Sequence, residues 1–409
     1  MNTIQISILT PYRENVRGTS ALPYHLMAKR EKGIKLEIYS FNCNNLSKEQ
    51  IAEVEQELDV KIRLIPLPAW FRWIFKLHLL FVRVFLKYPL HNYITLPKDI
   101  EKEIRAKKPD MIWVYGEEMS RISRMFPDTE VVHTLPDSEA LYYHRMLGCR
   151  FVMNDWKKYW RCAIMYRKFR RMERDFANRK NITYHLVGEE DAKFLRDMNP
   201  GIRARFIRHP HYEVKDTERK ISFHKDKIRL LIAGQYNYYM QQDADEMVAA
   251  LASADNRDML QEHFVISFLG RGWEQHVRTL KETGWTVNHV KFAPDYIEEV
   301  CKHDIQITPI SIGTGTKGKV LDALANGLMV IGSWYAMENI AVGNCVSCVV
   351  YDNPADMPRI LSDIAANREK YEEMARRGRE AVFKEHCRNS ISTHLFNLNV
   401  SCRCAQADS

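Results

Sequence analysis

Residues 308–333 read TPISIGTGTKGKVLDALANGLMVIGS, and this stretch decides the fold class. The apolar run that ends at Pro309 predicts a strand, and residues 328–332 predict another strand. Between them, a glycine-rich turn leads into a helix predicted over residues 317–326, with Gly327 as its C-cap. A strand, a helix and a second strand in this order form a βαβ unit, and such units build parallel sheets.

The same alternation of short apolar runs and helix-length segments continues upstream and downstream. In the second half, further strands are predicted at residues 228–233, 264–269, 285–290, 304–309 and 347–351, and two polar helices at residues 354–366 and 368–385. In the first half, strands are predicted at residues 4–10, 35–41, 111–115, 130–134 and 184–187, the last being the final strand of that half. The pattern predicts an α/β protein with doubly wound, Rossmann-like sheets.

The chain has 409 residues, which favours two domains over a single hydrophobic core. A turn-rich, charged stretch lies between Asn199 and Lys227, and we place the domain linker at its start. The predicted organisation is therefore an N-terminal domain over residues 1–200, a C-terminal domain over residues 201–390 and a polar tail over residues 391–409. We expect the last helix to be able to pack back on the N-terminal domain.

The composition is that of a soluble globular protein, with 45% hydrophobic and 27% charged residues. The net charge of +8 favours anionic partners such as nucleotides, phospholipid surfaces or nucleic acid. No run of 18 uncharged apolar residues occurs, so we expect no membrane-spanning helix.

The first residues show no secretory signal, and the nine cysteines form no framework, which together predict a reducing, cytoplasmic location. Cys345 and Cys348 resemble only half of a zinc site, and we interpret all cysteines as buried or incidental thiols.

The glycine-rich turn is the strongest candidate for a binding site. Small residues let the backbone approach a ligand, and the N–H groups at the start of the following helix favour phosphate oxygens. Cations at that end oppose the helix dipole unless an anion binds there. A plain βα turn with solvated lysines is the alternative. The candidate residues are Gly313, Thr314, Gly315, Thr316, Lys317 and Lys319, together with Asp322, whose carboxylate is suited to ribose hydroxyls.

This stretch resembles the donor-site signature of group 1 glycosyltransferases, the large family 4 with the GT-B fold. That signature has a proline after a strand, a glycine-rich turn, a lysine, and then an acid-Ala-hydrophobic-Ala-x-Gly segment. Three upstream segments are similar to the family's in the same order: IRLLIAGQYNY, FVISFLGRG and VKFAPDYIEEVCKHDIQITPI. Together the matches cover about half of the chain. The resemblance implies two Rossmann-like domains that face a cleft.

The resemblance also implies roles for individual residues. Gly234 and the loop after it would face the donor, and Arg271 or Lys317 would neutralise the diphosphate as the leaving group forms. Asp322 stands where the family's second acid binds the ribose. Thr314 occupies the position of the family's first acid, so that carboxylate is missing here.

The N-terminal half matches the family less well. Its first strand is followed by a loop with a single glycine, Gly18, which the resemblance implies lets the backbone approach the donor phosphates. After the strand at residues 130–134, His133 and Asp137 are candidates for contact with the transferring sugar. A core position is the alternative for His133, and a helix cap is the alternative for Asp137.

The resemblance implies transfer of a hexose-type sugar from a nucleotide-diphosphate sugar to a glycan or lipid-linked acceptor, with retention, in cell-surface polysaccharide synthesis. We expect no metal and no cofactor, because no DxD motif occurs in a suitable loop and the nucleotide sugar is a co-substrate. Two alternatives remain. A nucleotide-sugar epimerase of the same fold would need acids and a histidine clustered in the N-terminal domain, and a basic RNA-binding protein would fit the charge but lacks a recognition motif.

Two segments predict contact with an anionic membrane surface. Residues 68–88 read PAWFRWIFKLHLLFVRVFLKY, and in a continuous helix their four basic residues would form one narrow stripe, as in an interfacial helix. Residues 156–180 are a second basic stretch with interleaved aromatic residues. The alternatives are packing against the segment's own domain and a solvated charged helix. We therefore expect a cytoplasmic protein that is peripheral to the inner face of the membrane and does not bind nucleic acid.

Overall fold

The strands of this computed structural model, which describes residues 1–16 and 18–398, form two parallel sheets. Contacts between residues divide the chain into two units. The first unit comprises Met1–Pro210 and the C-terminal helix that begins at Arg388, and the second unit comprises His211–Cys387.

The first unit contains a seven-stranded sheet in the order β3-β2-β1-β4-β5-β6-β7. Its strands are β1 Asn2–Ser7, β2 Lys35–Ser40, β3 Lys61–Leu64, β4 Met111–Tyr115, β5 Glu130–Leu135, β6 Ile182–Leu186 and β7 Ala204–Phe206. The strand order reverses between β1 and β4, and this switch point is where doubly wound sheets bind ligands. The prediction that residues 184–187 form the last strand of this half was wrong, because the three-residue edge strand β7 pairs with β6.

Among the described residues, nine helices of the first unit precede the second unit in the chain. They are α1 Ala21–Met27, α2 Lys48–Leu58, α3 Ala69–Lys76, α4 Lys98–Ala106, α5 Ser120–Ser123, α6 Glu139–Leu147, α7 Arg150–Met153, α8 Trp156–Arg174 and α9 Glu189–Met198. Short 3₁₀ helices lie at Leu80–Val84, Leu90–Tyr93 and Glu117–Met119. Local capping fixes several starts: Asp155 begins α8 by accepting hydrogen bonds from the backbone N–H groups of Lys157 (3.0 Å) and Lys158 (3.2 Å).

The second unit contains a six-stranded sheet in the order β10-β9-β8-β11-β12-β13. Its strands are β8 Ile228–Ala233, β9 Phe264–Leu269, β10 Val287–Val290, β11 Ile305–Thr308, β12 Met329–Gly332 and β13 Val349–Val350. Its helices are α10 Gln241–Ser253, α11 Arg257–His263, α12 Glu274–Glu282, α13 Tyr296–Val300, α14 Gly318–Ala325, α15 Trp334–Met337, α16 Met357–Ala366 and α17 Arg368–Glu385, with a 3₁₀ helix at Pro354–Asp356. The predicted α/β fold class with two doubly wound sheets is confirmed.

The last helix, α18 (Arg388–Phe396), packs within the first unit. The buried Ser392 hydroxyl donates to the carbonyl of Leu26 at the end of α1 (2.7 Å). Phe396 meets Trp113 of β4 edge to face, with 5.6 Å between ring centroids. These contacts join the C-terminal helix to the sheet that the N-terminus begins.

Candidate functional site

In the second unit, the loops after β8 and β9 touch through their backbones. Gly234 and Gly270 both have positive φ angles, +138° and +137°. A Cβ atom added to Gly270 would lie 2.2 Å from the Gly234 carbonyl oxygen, so no side chain fits there. The indole N–H of buried Trp273 donates to that same oxygen (2.7 Å). The two loops therefore have one fixed arrangement.

The loop after β11 is joined to this pair. The backbone N–H of Ser311 donates to the Tyr239 carbonyl (2.7 Å), and the Ser311 hydroxyl accepts from the N–H of Asp243 (2.9 Å). From β12, the Ser333 hydroxyl donates to the Ile310 carbonyl (2.5 Å). The carboxyl ends of four neighbouring strands are thus connected, which is the edge where such sheets hold ligands.

The glycine-rich turn folds Lys317 over its own backbone. Lys317 precedes α14, and its Nζ donates to the carbonyls of Thr314 (2.6 Å) and Gly315 (3.2 Å). A Cβ atom on Gly313 would lie 2.6 Å from the Lys317 Cε, so the glycine makes room for this side chain. Gly315 has φ +61°, and Thr316 is half-buried. All five predicted residues of the turn lie together, with a cation held beside the start of a helix.

Asp322 on α14 is buried, with 8% of its surface exposed. Burial raises the pKa of its carboxyl to about 7, against a smaller lowering effect of Lys319 and a raising effect of Glu213. Its Oδ1 has no hydrogen-bond partner, and neither has the buried hydroxyl of Tyr296. Buried polar atoms are normally paired, so two such atoms near each other are typical of a site that a ligand completes.

Lys319 contacts the same site. Its Nζ lies 5.3 Å from the centre of the Tyr296 ring, and a Cβ atom on Gly234 would lie 3.7 Å from it. Desolvation by the surrounding atoms lowers the pKa of the Lys319 ammonium, although the residue as a whole is exposed. The structure thus brings together Gly234, Lys319 and Asp322. The predicted Arg271 lies between Gly270 and Gly272, where its side chain is exposed.

In the first unit, a cavity of about 400 Å³ lies at the carboxyl ends of β1, β4 and β5. Gly18 lines it with φ +140°, and a Cβ atom there would lie 2.7 Å from Leu9 Cδ1. The Tyr115 hydroxyl at the end of β4 donates to the carbonyl of Thr19 (2.7 Å), which fixes the loop that carries Gly18. Gly18 therefore faces a candidate binding site within its own unit.

Asp137 lines this cavity, whereas His133 does not. The alternative that Asp137 caps a helix was wrong, because Ser138 is the N-cap of α6 and accepts from the N–H of Leu141 (3.1 Å). His133 is fully buried within β5, where Nδ1 meets the Ser123 hydroxyl (3.0 Å) and Nε2 meets the Gly116 carbonyl (2.8 Å). Burial lowers its pKa to about 4. The proposal of direct sugar contact by His133 is corrected to a core position, because both ring nitrogens are already engaged beneath the cavity.

Comparison with known proteins identifies the class of enzyme. Residues 245–396 match the family model described as glycosyl transferase-like. Solved structures match nearly the whole chain: the Anabaena HepE protein in complex with UDP is 10% identical, with a TM-score of 0.63 over 98% of this chain and 100% of that one. The chain is a glycosyltransferase with the GT-B fold. The resemblance to group 1 glycosyltransferases is confirmed.

Two further structures have the same architecture as this glycosyltransferase. Sucrose-phosphate synthase from Thermosynechococcus elongatus is 12% identical, with a TM-score of 0.64 over 99% of this chain and 100% of its own. The lipopolysaccharide outer core galactosyltransferase WaaB is 12% identical, with a TM-score of 0.59 over 98% of this chain and 99% of its own. No curated protein matches the sequence. At these identities, the solved structures establish the fold.

Several residues of the glycosyltransferase's two candidate sites were missed from the sequence. Glu117 and Glu118 follow β4, Glu139 follows β5, and both strands end at the cavity of the first unit. The signal was present, since acids follow the ends of two strands that the pattern predicted correctly. Tyr296 lies in one of the segments that are similar to the family's, but nothing in its local sequence distinguished it as a site residue. The acids required by the epimerase alternative are present, with His91 among the lining residues, but the family match is to transferases.

The predicted interfacial segment of the glycosyltransferase is not one helix. α3 ends at Lys76, and His78 has φ +53°, so the four basic residues do not share one stripe. The break is a local helix cap: the N–H of His78 donates to the Phe75 carbonyl (3.2 Å), and the N–H of Leu79 donates to the Ile74 carbonyl (2.9 Å). Farther along, the Lys168 ammonium on α8 donates to the carbonyls of Arg83 and Leu86. Among the described residues, no helix is long and apolar enough to cross a membrane.

Proposed function

We propose that this glycosyltransferase moves a hexose-type sugar from a nucleotide-diphosphate sugar, bound in the second unit, to a glycan or lipid-linked acceptor. The observation that carries the donor site is the pair of buried, unpartnered polar atoms, Asp322 Oδ1 and the Tyr296 hydroxyl, beside the Lys319 ammonium. Such a set accepts and donates hydrogen bonds as a ribose and its phosphate require. The HepE structures with UDP and with UDP-glucose support a nucleotide sugar as donor.

In the proposed complex, Asp322 Oδ1 accepts hydrogen bonds from the ribose hydroxyls. The nearby Lys319 favours the ionised carboxylate, which opposes the effect of burial. Lys317 exchanges its two carbonyl contacts for phosphate oxygens, and the N–H groups at the start of α14 face the same charge. The exposed Arg271 is a second cation for the diphosphate.

Catalysis is then mainly electrostatic. Negative charge grows on the diphosphate as the bond to the sugar breaks, and prearranged cations and N–H groups stabilise it more than the ground state. The proposed retention of configuration, like the place in cell-surface polysaccharide synthesis, rests on the resemblance to group 1 enzymes.

The donor site is tested by thermal stabilisation of the full chain with UDP, GDP and UDP-glucose. A ligand that binds only the folded state at 100 times its Kd stabilises it by about 2.7 kcal/mol. We expect one nucleotide to raise the melting temperature, and Lys317→Ala and Asp322→Ala to reduce that rise. Lys281→Ala, which removes an exposed lysine from α12, is the matched control and leaves the rise unchanged. No shift with any nucleotide would overturn the assigned site.

We also propose that the first unit binds an anionic membrane surface, where a lipid-linked acceptor lies. The region from α3 to Lys87 exposes large apolar side chains, including Trp73 (53%) and Phe85 (81%). The start of α8 exposes more, including Trp156 (69%) and Trp160 (60%), next to the exposed Lys157 and Lys158. Aromatic residues interleaved with basic ones are the composition of interfacial segments.

The two patches are joined along α8. Lys168 holds the carbonyls of Arg83 and Leu86, and the exposed Ile164 lies one helical turn away on the same side. Lys87 also forms an ion pair with Asp175 at the end of α8 (3.0 Å). We propose that the two patches act as one membrane-binding surface, because these contacts attach the segment before Tyr88 to α8.

Cosedimentation with vesicles tests this surface. We expect the full chain to bind phosphatidylserine-containing vesicles more tightly than pure phosphatidylcholine vesicles, and less tightly as salt increases. The double variant Trp73→Ser with Phe85→Ser weakens binding, whereas Phe292→Ser, which removes a phenylalanine with 73% exposure from the second unit, does not. Equal loss in both variants would contradict a specific surface.

A further inference from the structure

The cavity of the first unit is lined by groups that accept hydrogen bonds or carry negative charge. Four acids contribute to its wall: Glu117, Glu118, Asp137 and Glu139. Among the described residues, no lysine or arginine lines it, and its other titratable residues are Cys43, His91 and Tyr115. The Tyr115 hydroxyl is already used as a donor to the Thr19 carbonyl. A ligand that fits this cavity must therefore supply hydrogen-bond donors.

Glu117 carries a buried oxygen atom in the cavity wall that lacks a hydrogen-bond partner. Glu173 from α8 is 1% exposed and accepts hydrogen bonds from the Ser138 hydroxyl and the Ala140 N–H, both at 2.7 Å, as an ionised carboxylate does. Glu117 hydrogen-bonds to Glu173, so Glu117 carries the shared proton, and burial beside Glu173 raises its pKa well above the ordinary range. Its Oε1, in a side chain that is 5% exposed, has no partner. A buried acceptor atom is thus left for a ligand.

The charge of the cavity distinguishes between donor-rich ligands. Burial and the nearby Asp137, Glu118 and Glu173 raise the pKa of Glu139 to about 8. A neutral polyol donates hydrogen bonds to the acids but does not reduce the repulsion between their negative charges, whereas a cation does. The acids are not arranged as metal ligands, since among the described residues no group of three is placed to hold an ion. The volume of about 400 Å³ is that of a small-molecule site.

We propose that this cavity binds the acceptor, and that the acceptor is an amino sugar with a free, protonated amine. The inference rests on the proposed function, because it names the substrate class of the same transfer. The ammonium donates to Glu139, Asp137 and the Glu117 Oε1, and the sugar hydroxyls complete the remaining acceptors. Acetylation of the amine removes both the charge and two donors, so an N-acetylated sugar loses this recognition.

The test compares three probes on the full chain at neutral pH by saturation-transfer NMR: methyl β-glucosaminide, methyl N-acetyl-β-glucosaminide and methyl β-glucoside. We expect the free amine to bind roughly tenfold more tightly than either neutral probe, which is the effect of a charge-assisted hydrogen bond. Glu139→Gln reduces that preference severalfold. Asp128→Asn, an exposed acid of the same unit, is the matched control and keeps it.

Each result decides the inference. Equal binding of the three probes, binding of none, or a preference that survives in folded Glu139→Gln overturns it. The nucleotide-induced shift in melting temperature is measured on the same samples. A nucleotide-induced shift in melting temperature without a preference for the free amine supports the donor site and overturns this inference. A preference for the free amine without such a shift supports the cavity as an amine site and overturns the assigned donor site.

Discussion

In the second unit, Lys317 and Lys319 lie at the carboxyl ends of the strands near the buried acid Asp322. The same edge of the first unit carries four acids and, among its described residues, no lysine or arginine. Both edges come from the same parallel arrangement. The sheet therefore decides where a ligand binds, and the side chains in the loops decide its charge. We propose a phosphate-bearing sugar donor for the edge of the second unit. For the edge of the first unit, we propose an acceptor that is rich in hydrogen-bond donors.

The two edges are also stabilised differently, by backbone contact between glycines in the second unit and by buried carboxyl groups in the first. The largest expected effect follows from Gly270→Ala, because the new Cβ would lie 2.2 Å from the Gly234 oxygen at a φ of +137°. We expect a loss of roughly 3 kcal/mol or more, and weaker nucleotide binding. Thermal unfolding measures the loss. Gly343→Ala, where the new Cβ only makes an ordinary contact at 3.7 Å, should melt nearly as the unchanged protein does.

In the first unit, Glu173→Ala removes the acceptor for the Ser138 hydroxyl and the Ala140 N–H. Two buried donors lose their partner, so we expect destabilisation of roughly 2–4 kcal/mol by chemical denaturation. Glu117→Gln keeps a donor toward Glu173 and should cost much less. If both variants were equally unstable, the assignment of the proton to Glu117 would be wrong.

Asp322→Asn separates stability from binding in the second unit. The pKa of Asp322 is raised to about 7, so its ionisation costs stability as the pH rises through that value. Without ligand, the variant should therefore melt slightly higher at pH 8. Its affinity for the stabilising nucleotide should fall roughly tenfold, about 1.4 kcal/mol, since an amide accepts ribose hydroxyls less strongly than a carboxylate. Titration calorimetry measures the affinity, and an unchanged Kd would remove Asp322 from the donor site.

The smallest effect is the pH dependence of Glu139. Its pKa is raised from about 4.5 to about 8, so the stability it contributes is present at low pH and is lost as the pH rises through 8. Glu139→Gln should melt about as the parent does near pH 4.5 and roughly 2–4 °C higher at pH 8. Asp128→Asn should show no such trend. A constant difference across this range would mean that Glu139 is already ionised in the folded protein.

The sequence predicted most of the second unit because its strands are short apolar runs followed by glycine-rich turns, a local pattern. It located residues 313–319, Gly234 and Asp322 at one edge, where the structure also has them. It failed where partners are distant in the chain. The contacts of the interfacial segment with Lys168, more than 80 residues later, could not be predicted. The core position of His133 depends on Ser123 and the Gly116 carbonyl.

By itself, the sequence determined the parallel α/β architecture, the glycine-rich turn and the lysines that follow it, because periodicity, glycine and local charge act over a few residues. Only the tertiary structure decided that Tyr296 lies near Asp322, that Glu117 hydrogen-bonds to Glu173, and that Lys168 attaches α8 to the carbonyls of Arg83 and Leu86. Each of these depends on burial and on contacts between residues far apart in the chain. Desolvation and pairing appear only when the folded chain brings such groups together.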